Sequence, residues 1–205
     1  MNPPYWKQAT RELARSDAVL KRLIAKHRGF VLGSRGDAYQ TLARAIVGQQ
    51  ISVKAAQSVW ERLLAAAGAV SPAVIHAMQH DALRACGLSE RKALYLRDLA
   101  AHFVEEVFDL ARWPALSDEE LIEQLVKVKG IGRWTAEMFL IFYMARPDVL
   151  PLDDLGLQKA IRLHYANGRV LSERRMRAIA KPWAPWRSVA TWYLWRSLDP
   201  IPVEY

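Results

Sequence analysis

The sequence predicts an all-α protein, on three observations. Alanine, leucine and arginine recur at helical spacing along most of the chain. Glycine and proline number only 10 each in 205 residues, too few for the turns of an all-β fold. Serine, aspartate and glycine stand where helices need caps and stops.

The first two helices are predicted over about Tyr5–Arg15 and Asp17–His27, with Ser16 or Asp17 able to cap the second. A loop covers Gly29–Gly36. Leu42, Ala45 and Ile46 form a helical stripe within Ala38–Val47, and Gly48-Gln-Gln50 interrupts it. Ser52 caps the next helix, which runs through Trp60 to Ala67 and stops at Gly68. Ser71-Pro72 opens another, with a capping serine and proline in the first turn. Ala82–Ala85 leads into Cys86-Gly87-Leu88, and Glu90–Leu110 reads as one long amphipathic helix. Ser117 and Glu120 form a capping box for a helix to about Lys127. Lys129-Gly-Ile-Gly132 breaks the pattern and Arg133–Ala145 resumes it. After a loop over Arg146–Leu152, Asp153 or Asp154 starts a helix to about Tyr165. Two more follow, near Ser172–Lys181 and Pro185–Leu198. No repeat, low-complexity tract or linker divides the chain, so residues 1–205 read as one domain.

Hydrophobic residues make up 52% and charged residues 24%, enough for a sizeable core. The net charge of +8 favours polyanions, because each cation near a phosphate releases counterions. Cys86 is the sole cysteine, which excludes an intrachain disulfide and a four-cysteine iron–sulfur cluster. His76 and His80 lie four apart on one predicted helix, a metal-binding spacing, but no third ligand stands nearby and surface histidines are the reading. No apolar run approaches the roughly 20 residues of a membrane span. The N-terminus lacks the basic-then-apolar pattern of a signal peptide. A cytoplasmic monomer without membrane contact is expected.

The central motif is a helix, then Val128-Lys-Gly-Ile-Gly132, then a second helix. Two glycines around one aliphatic residue permit a tight turn, and Ile131 can point inward to lock the helices. Glycine lets a phosphate approach the main chain, where the second helix begins with amide hydrogens and a positive dipole end. Such a turn grips a phosphate without reading a base. Lys129 and Arg133 add charge beside it. A bare Gly-x-Gly is far more often an ordinary helix connection, so the flanking residues must decide. Downstream, Asp153-Asp154 precedes the apolar positions Leu155, Leu157, Ala160 and Ile161, where paired aspartates are ordinarily N-caps.

Leu125-Val-Lys-Val-Lys-Gly-Ile-Gly-Arg-Trp-Thr-Ala136 resembles the helix–hairpin–helix of the base-excision DNA glycosylase superfamily. Leu150-Pro-Leu-Asp-Asp-Leu-Gly156 is similar to the loop and catalytic aspartate that follow that hairpin. Ala45-Ile-Val-Gly-Gln-Gln-Ile-Ser52, Leu83-Arg-Ala-Cys-Gly-Leu88 and Trp183-Ala-Pro-Trp-Arg-Ser188 continuing to Trp195 match as well. The motifs come in family order from about Tyr39 to Ser197 and resemble the 3-methyladenine DNA glycosylase II branch most. Two departures stand out. Lys129 replaces the usual proline before the first glycine, and the chain is too short for the N-terminal β-rich domain that some members carry.

The resemblance implies a two-lobed helical fold with a cleft between lobes and the hairpin at about residues 120–145. It implies an enzyme of base excision repair acting on double-stranded DNA, near the nucleoid of a bacterium. Such an enzyme flips out an alkylated base of the 3-methyladenine or 7-methylguanine type and hydrolyses it away, leaving an abasic site. Asp154 would be the catalytic carboxylate and Asp153 its structural partner. Trp134 stands where strand-cutting relatives carry a lysine nucleophile, so no lyase activity is expected. Trp134, Met138 and Trp195 would form the base pocket, whose aromatic faces favour a cationic alkylated base. Lys129, Gly130, Gly132, Arg133 and Thr135 would contact DNA. Gln50 would probe the gap left by the base, and Leu88 or Cys86 would wedge into the duplex or else anchor its loop. A Na+ or K+ ion in the hairpin would sit on the main-chain carbonyls of Val126, Val128 and Ile131; no other cofactor is required. The alternatives are a non-catalytic helix–hairpin–helix DNA-binding module and a glycosylase for oxidised, deaminated or mismatched bases.

Overall fold

A computed structural model describes residues 3–29 and 37–198, so most of the loop expected over Gly29–Gly36 lies outside the described residues. Within them the chain is helical and forms no strand, as the composition predicts. In order, the helices are α1 (Trp6–Ser16), α2 (Ala18–Lys26), α3 (Ala38–Gly48), α4 (Val53–Ala67), α5 (Pro72–Ala77) and α6 (His80–Ala85). They continue as α7 (Glu90–Val104), α8 (Asp118–Leu125), α9 (Arg133–Phe142), α10 (Leu155–Tyr165), α11 (Glu173–Ala180) and α12 (Arg187–Leu198). Single 3-10 turns occur at Trp113–Ala115 and Lys181–Trp183. The chain divides into two compact units. Among the described residues the first takes 3–29 and 140–198, and the second takes 37–139.

In the first unit α12 is the core element, packed against α1, α2 and α10. It is buried from Ser188 through Leu194, which its nearly all-round apolar sequence requires. Asp17 caps α2 by accepting Val19 N–H at 2.8 Å and Leu20 N–H at 2.9 Å. The other carboxylate oxygen accepts the Tyr165 hydroxyl at 2.9 Å and the Trp183 indole N–H at 3.1 Å.

In the second unit α7 packs on α3, α5 and α6. Leu96 and Leu99 are fully buried there, each contributing about 2 kcal/mol of apolar burial. The caps at Ser52 and at Ser117 with Glu120 form as predicted. Ser71 precedes α5 but makes no side-chain capping bond.

Three expectations are corrected. The helix from Glu90 ends at Val104, not Leu110, because Glu106 turns the chain with φ 53°. Phe108 then folds back onto Phe103 and Trp113, with ring centroids 5.4 and 5.3 Å away. The helix from Arg133 ends at Phe142, short of Ala145, so Tyr143 lies beyond it. Ala145 adopts φ 50° and Arg146 N–H returns to the Leu140 carbonyl at 2.9 Å, a helix stop usually built on glycine. Finally, His76 and His80 sit on different helices, split by the extended Met78, and His80 faces Glu90 at 2.8 Å.

Candidate active site and nucleic-acid interface

The hairpin of the second unit is clamped from beneath by α7 and from the side by the end of α3. Gly130 has φ +84°, and a Cβ there would lie 2.1 Å from Tyr95 Cδ2, so the aromatic ring demands glycine. The Gly130 carbonyl accepts Gln49 Nε2 at 2.8 Å. Ile131 is buried, as expected, and its N–H closes a turn onto the Val128 carbonyl at 3.1 Å. Lys129 N–H donates to Asp98 at 2.8 Å. A proline could not make that bond, which accounts physically for the departure at this position. Gly132 differs from Gly130: a Cβ there would meet nothing within 4 Å. The packing of the protein leaves the space above Gly132 open, beside the first-turn amides of α9.

The predicted phosphate cations are compensated. Arg133 forks onto Glu119 at 2.5 and 2.8 Å and reaches Glu137 at 3.1 Å. The Glu119 hydrogen bond holds the guanidinium well above its ordinary range, so it stays charged. Lys129 Nζ lies 3.7 Å from Asp98. Thr135 is buried, so any contact of this residue with a phosphate falls to its main-chain amide in the first turn of α9. On the same helix Trp134 is half-buried and Met138 buried.

Leu88 and Cys86 are only 4% and 3% exposed, so the wedge expectation gives way to the loop-anchor reading. Arg62 Nε donates to the Cys86 carbonyl at 2.8 Å, and the thiol points to the Ala82 carbonyl at 3.3 Å. Burial pushes the thiol pKa up. The second unit also exposes an apolar residue that sequence reasoning did not single out, Ile51. It is 40% exposed at the turn between α3 and α4, directly after exposed Gln50 with its positive φ of 59°. Lys92 Nζ steadies that turn by donating to the Val47 carbonyl at 2.8 Å. An aliphatic residue between Gln50 and the capping Ser52 was the available signal.

In the first unit Asp154 and Trp195 come together. Asp154 is the N-cap of α10, and its Oδ1 accepts Leu157 N–H at 2.6 Å and Trp195 Nε1–H at 2.7 Å. The side chain is 9% exposed. Trp195 in turn stacks on Phe142, with centroids 5.8 Å apart and planes 9° from parallel. A Cβ on Gly156 would come within 3.1 Å of Asp154 Oδ1 and 3.2 Å of Trp195 Cδ1, so this glycine makes room for the pair. The expected division of labour is corrected: Asp153 is exposed and takes no hydrogen bond among the described residues, and the cap is Asp154 itself. The preceding loop is pinned to the start of α12. Ser188, fully buried, donates to the Arg146 carbonyl at 2.6 Å and accepts Val149 N–H at 2.9 Å. Arg187 grips Asp148 at 2.7 and 2.8 Å. The outcome is a fixed carboxylate at the positive end of a helix, suited to stabilising a cation or orienting water.

Comparison with known proteins adds the following. The profile of the family described as HhH-GPD superfamily base excision DNA repair protein matches residues 43–185. The putative DNA-3-methyladenine glycosylase YfjP of Bacillus subtilis is 32% identical over 192 residues, 90% of this chain and 67% of that protein. The crystal structure of a Bacillus halodurans DNA-3-methyladenine glycosidase superposes with TM-score 0.84 at 32% identity, covering 93% of this chain and 89% of that one. The Schizosaccharomyces pombe 3-methyladenine DNA glycosylase in complex with abasic DNA gives TM-score 0.80 at 33% identity, covering 93% and 96%.

Proposed function

Because the chain belongs to the HhH-GPD superfamily of base excision DNA repair proteins, we infer that it is a DNA glycosylase that excises alkylated bases. The observation that carries the mechanism is Asp154, a carboxylate whose Oδ1 is held by Leu157 N–H and Trp195 Nε1–H. In hydrolysis the C1′–N bond breaks and its electron pair leaves with the base. A cationic alkylated base departs neutral, so little protonation is needed. Positive charge develops on the sugar, and a preorganised carboxylate stabilises it. The oxygen of a water molecule then bonds C1′ and its proton passes to solvent, leaving an abasic site. Trp195 in the first unit, and Trp134 and Met138 in the second, are each assigned to recognition of the base, on charge–aromatic grounds for the tryptophans.

Gly132 and the first-turn amides of α9 are assigned to a DNA phosphate, supported by the open space over that glycine. Gln50 and Ile51 fill the gap left by the flipped base, because they are the exposed tip of their turn. A monovalent cation would rest on the Val126, Val128 and Ile131 carbonyls. The Val128 oxygen already accepts the Ile131 N–H at 3.1 Å and keeps a second lone pair for it. Such an ion would supply positive charge next to the phosphate. With tryptophan at position 134 no amine stands ready to form a Schiff base, so strand cleavage does not follow excision.

The test is base release from methylated duplex DNA by wild type and Asp154→Asn. Release by wild type and its near-complete loss in the variant, with DNA binding retained, are expected. Equal behaviour of the two would leave a binding module instead. Borohydride should trap no covalent complex; a trapped complex would overturn the monofunctional assignment.

A further inference from the structure

The first unit holds a second concentration of charge that base excision leaves unused. Arg174, Arg177 and Lys181 recur at intervals of three and four residues along α11 and the 3-10 turn after it, so they share one face. Together with Arg187 they line an open groove of roughly 420 Å³, whose other walls are Leu150 and alanines. Two of the four cations are compensated. Arg177 pairs with Glu173 at 2.7 Å and Arg187 with Asp148 at 2.7 Å. Arg174 and Lys181, both exposed, have no carboxylate partner among the described residues. Four cations with two uncompensated charges repel one another, and a bound polyanion relieves that repulsion. The alanines keep the groove shallow-sided, so a backbone can lie in it.

We propose that this groove is a second backbone-binding surface, in which Arg174 and Lys181 contact phosphates of duplex DNA. The proposal rests on reading the chain as a DNA glycosylase. From Arg174 to Lys181 the stripe rises about 10 Å, well over the axial rise of ~3.4 Å between successive phosphates of one strand, so the two cations address separate phosphates. The guanidinium fork of Arg174 matches a phosphate in two places, while Lys181 acts as a point charge. Leu150 belongs to the loop that leads to Asp154, and Asp148, which holds Arg187, lies in the same loop. A strand bound in the groove therefore rests on the segment that presents the carboxylate.

The experiment compares wild type with the double variant Arg174→Ala/Lys181→Ala. Affinity for an undamaged duplex is measured across salt concentrations, and excision from methylated duplex is measured in single turnover at saturating protein. Each lost phosphate contact should flatten the plot of log affinity against log salt by about 0.9, hence by about 1.8 for both. Affinity at low salt should fall roughly tenfold for every duplex sequence. The saturated excision rate and the melting temperature should not move, since both side chains are exposed. Arg174→Glu should deepen the loss. Wild-type affinity and slope in the double variant would overturn the proposal and leave the groove to another polyanion, such as an acidic protein segment. Should wild type itself neither bind duplex nor release methylated bases, the glycosylase reading and this proposal fall together.

Discussion

At the hairpin, positive charge meets negative: Arg133 forks onto Glu119 and touches Glu137, and Lys129 leans on Asp98. At the Asp154 corner Oδ1 accepts from neutral groups, a backbone N–H and an indole N–H. The difference shows how each region is suited to its work. Opposed side-chain charges cancel much of their own field, so the hairpin offers a phosphate mainly its amides, its helix dipole and the space over Gly132. Neutral dipoles fix an oxygen in place without cancelling its charge. The corner can therefore meet a charge that appears only in the transition state.

The sharpest way to break this comparison is Asp154→Asn. Asparagine caps a helix as well as aspartate does, so α10 should keep its start and its melting temperature. The excision rate should fall on the order of 10³-fold, as when a preorganised electrostatic group is removed. Asp154→Ala should lose the same activity and about 1 kcal/mol of stability with the cap. A large stability loss in the asparagine variant would mean that capping and catalysis cannot be told apart at this residue.

Two glycines separate packing from binding at the hairpin. Gly130→Ala must strain a φ of +84° and push into the Tyr95 ring, at a cost on the order of 3 kcal/mol read by denaturant unfolding. Gly132→Ala meets no protein atom and should leave stability within about 0.5 kcal/mol. Its methyl group stands where a phosphate would approach, so duplex affinity should drop while folding holds. Equal stability losses would show that both glycines serve the turn alone.

Much of this architecture was legible because its signals are local. Ser52, Ser117 with Glu120, and Ser172 announce helix starts through bonds to amides three residues on. The hairpin glycines and Asp154 drew attention through the motifs around them. What stayed hidden depends on residues far apart in sequence. Trp195 reaches Asp154 across 41 positions, Ser188 holds the loop at Val149 across 39, and Gln49 meets Gly130 across 81. Helix ends at Val104 and Phe142 escaped notice for a related reason. One is set by Phe108 folding onto Phe103 and Trp113, the other by an alanine in a conformation usually given to glycine. The aspartate pair misled because either residue could cap, and only the folded loop selects Asp154.

Trp195→Phe tests the neutral-donor side of the comparison. It keeps a ring facing Phe142 and removes the N–H that bonds Asp154 Oδ1 at 2.7 Å. A hydrogen bond to a charged group contributes about 1.5–3 kcal/mol, so the single-turnover rate should fall by roughly 10- to 100-fold. Undamaged-duplex affinity should hold. An unchanged rate would show that the indole N–H is not needed to position the carboxylate.

The smallest expected effect tests the compensated side. Glu119→Gln removes the forked partner of Arg133 but keeps a neutral side chain at the start of α8. Both groups are about half-exposed or more, with side chains 49% and 64% accessible, so the pair contributes no more than about 1 kcal/mol to stability. Losing an acid near the N-terminus of α8 costs a further few tenths. If Glu119 screens Arg133, the guanidinium, released from Glu119 though still beside Glu137, should raise duplex affinity a few-fold. It should also steepen the salt dependence by up to about 0.9, the mark of one added phosphate contact. Arg133→Ala in the wild-type background should then change affinity little, and in the Glu119→Gln background should abolish the gain. A fall in affinity on Glu119→Gln would reverse the interpretation: the carboxylate would be aiming Arg133 at DNA instead of withholding it.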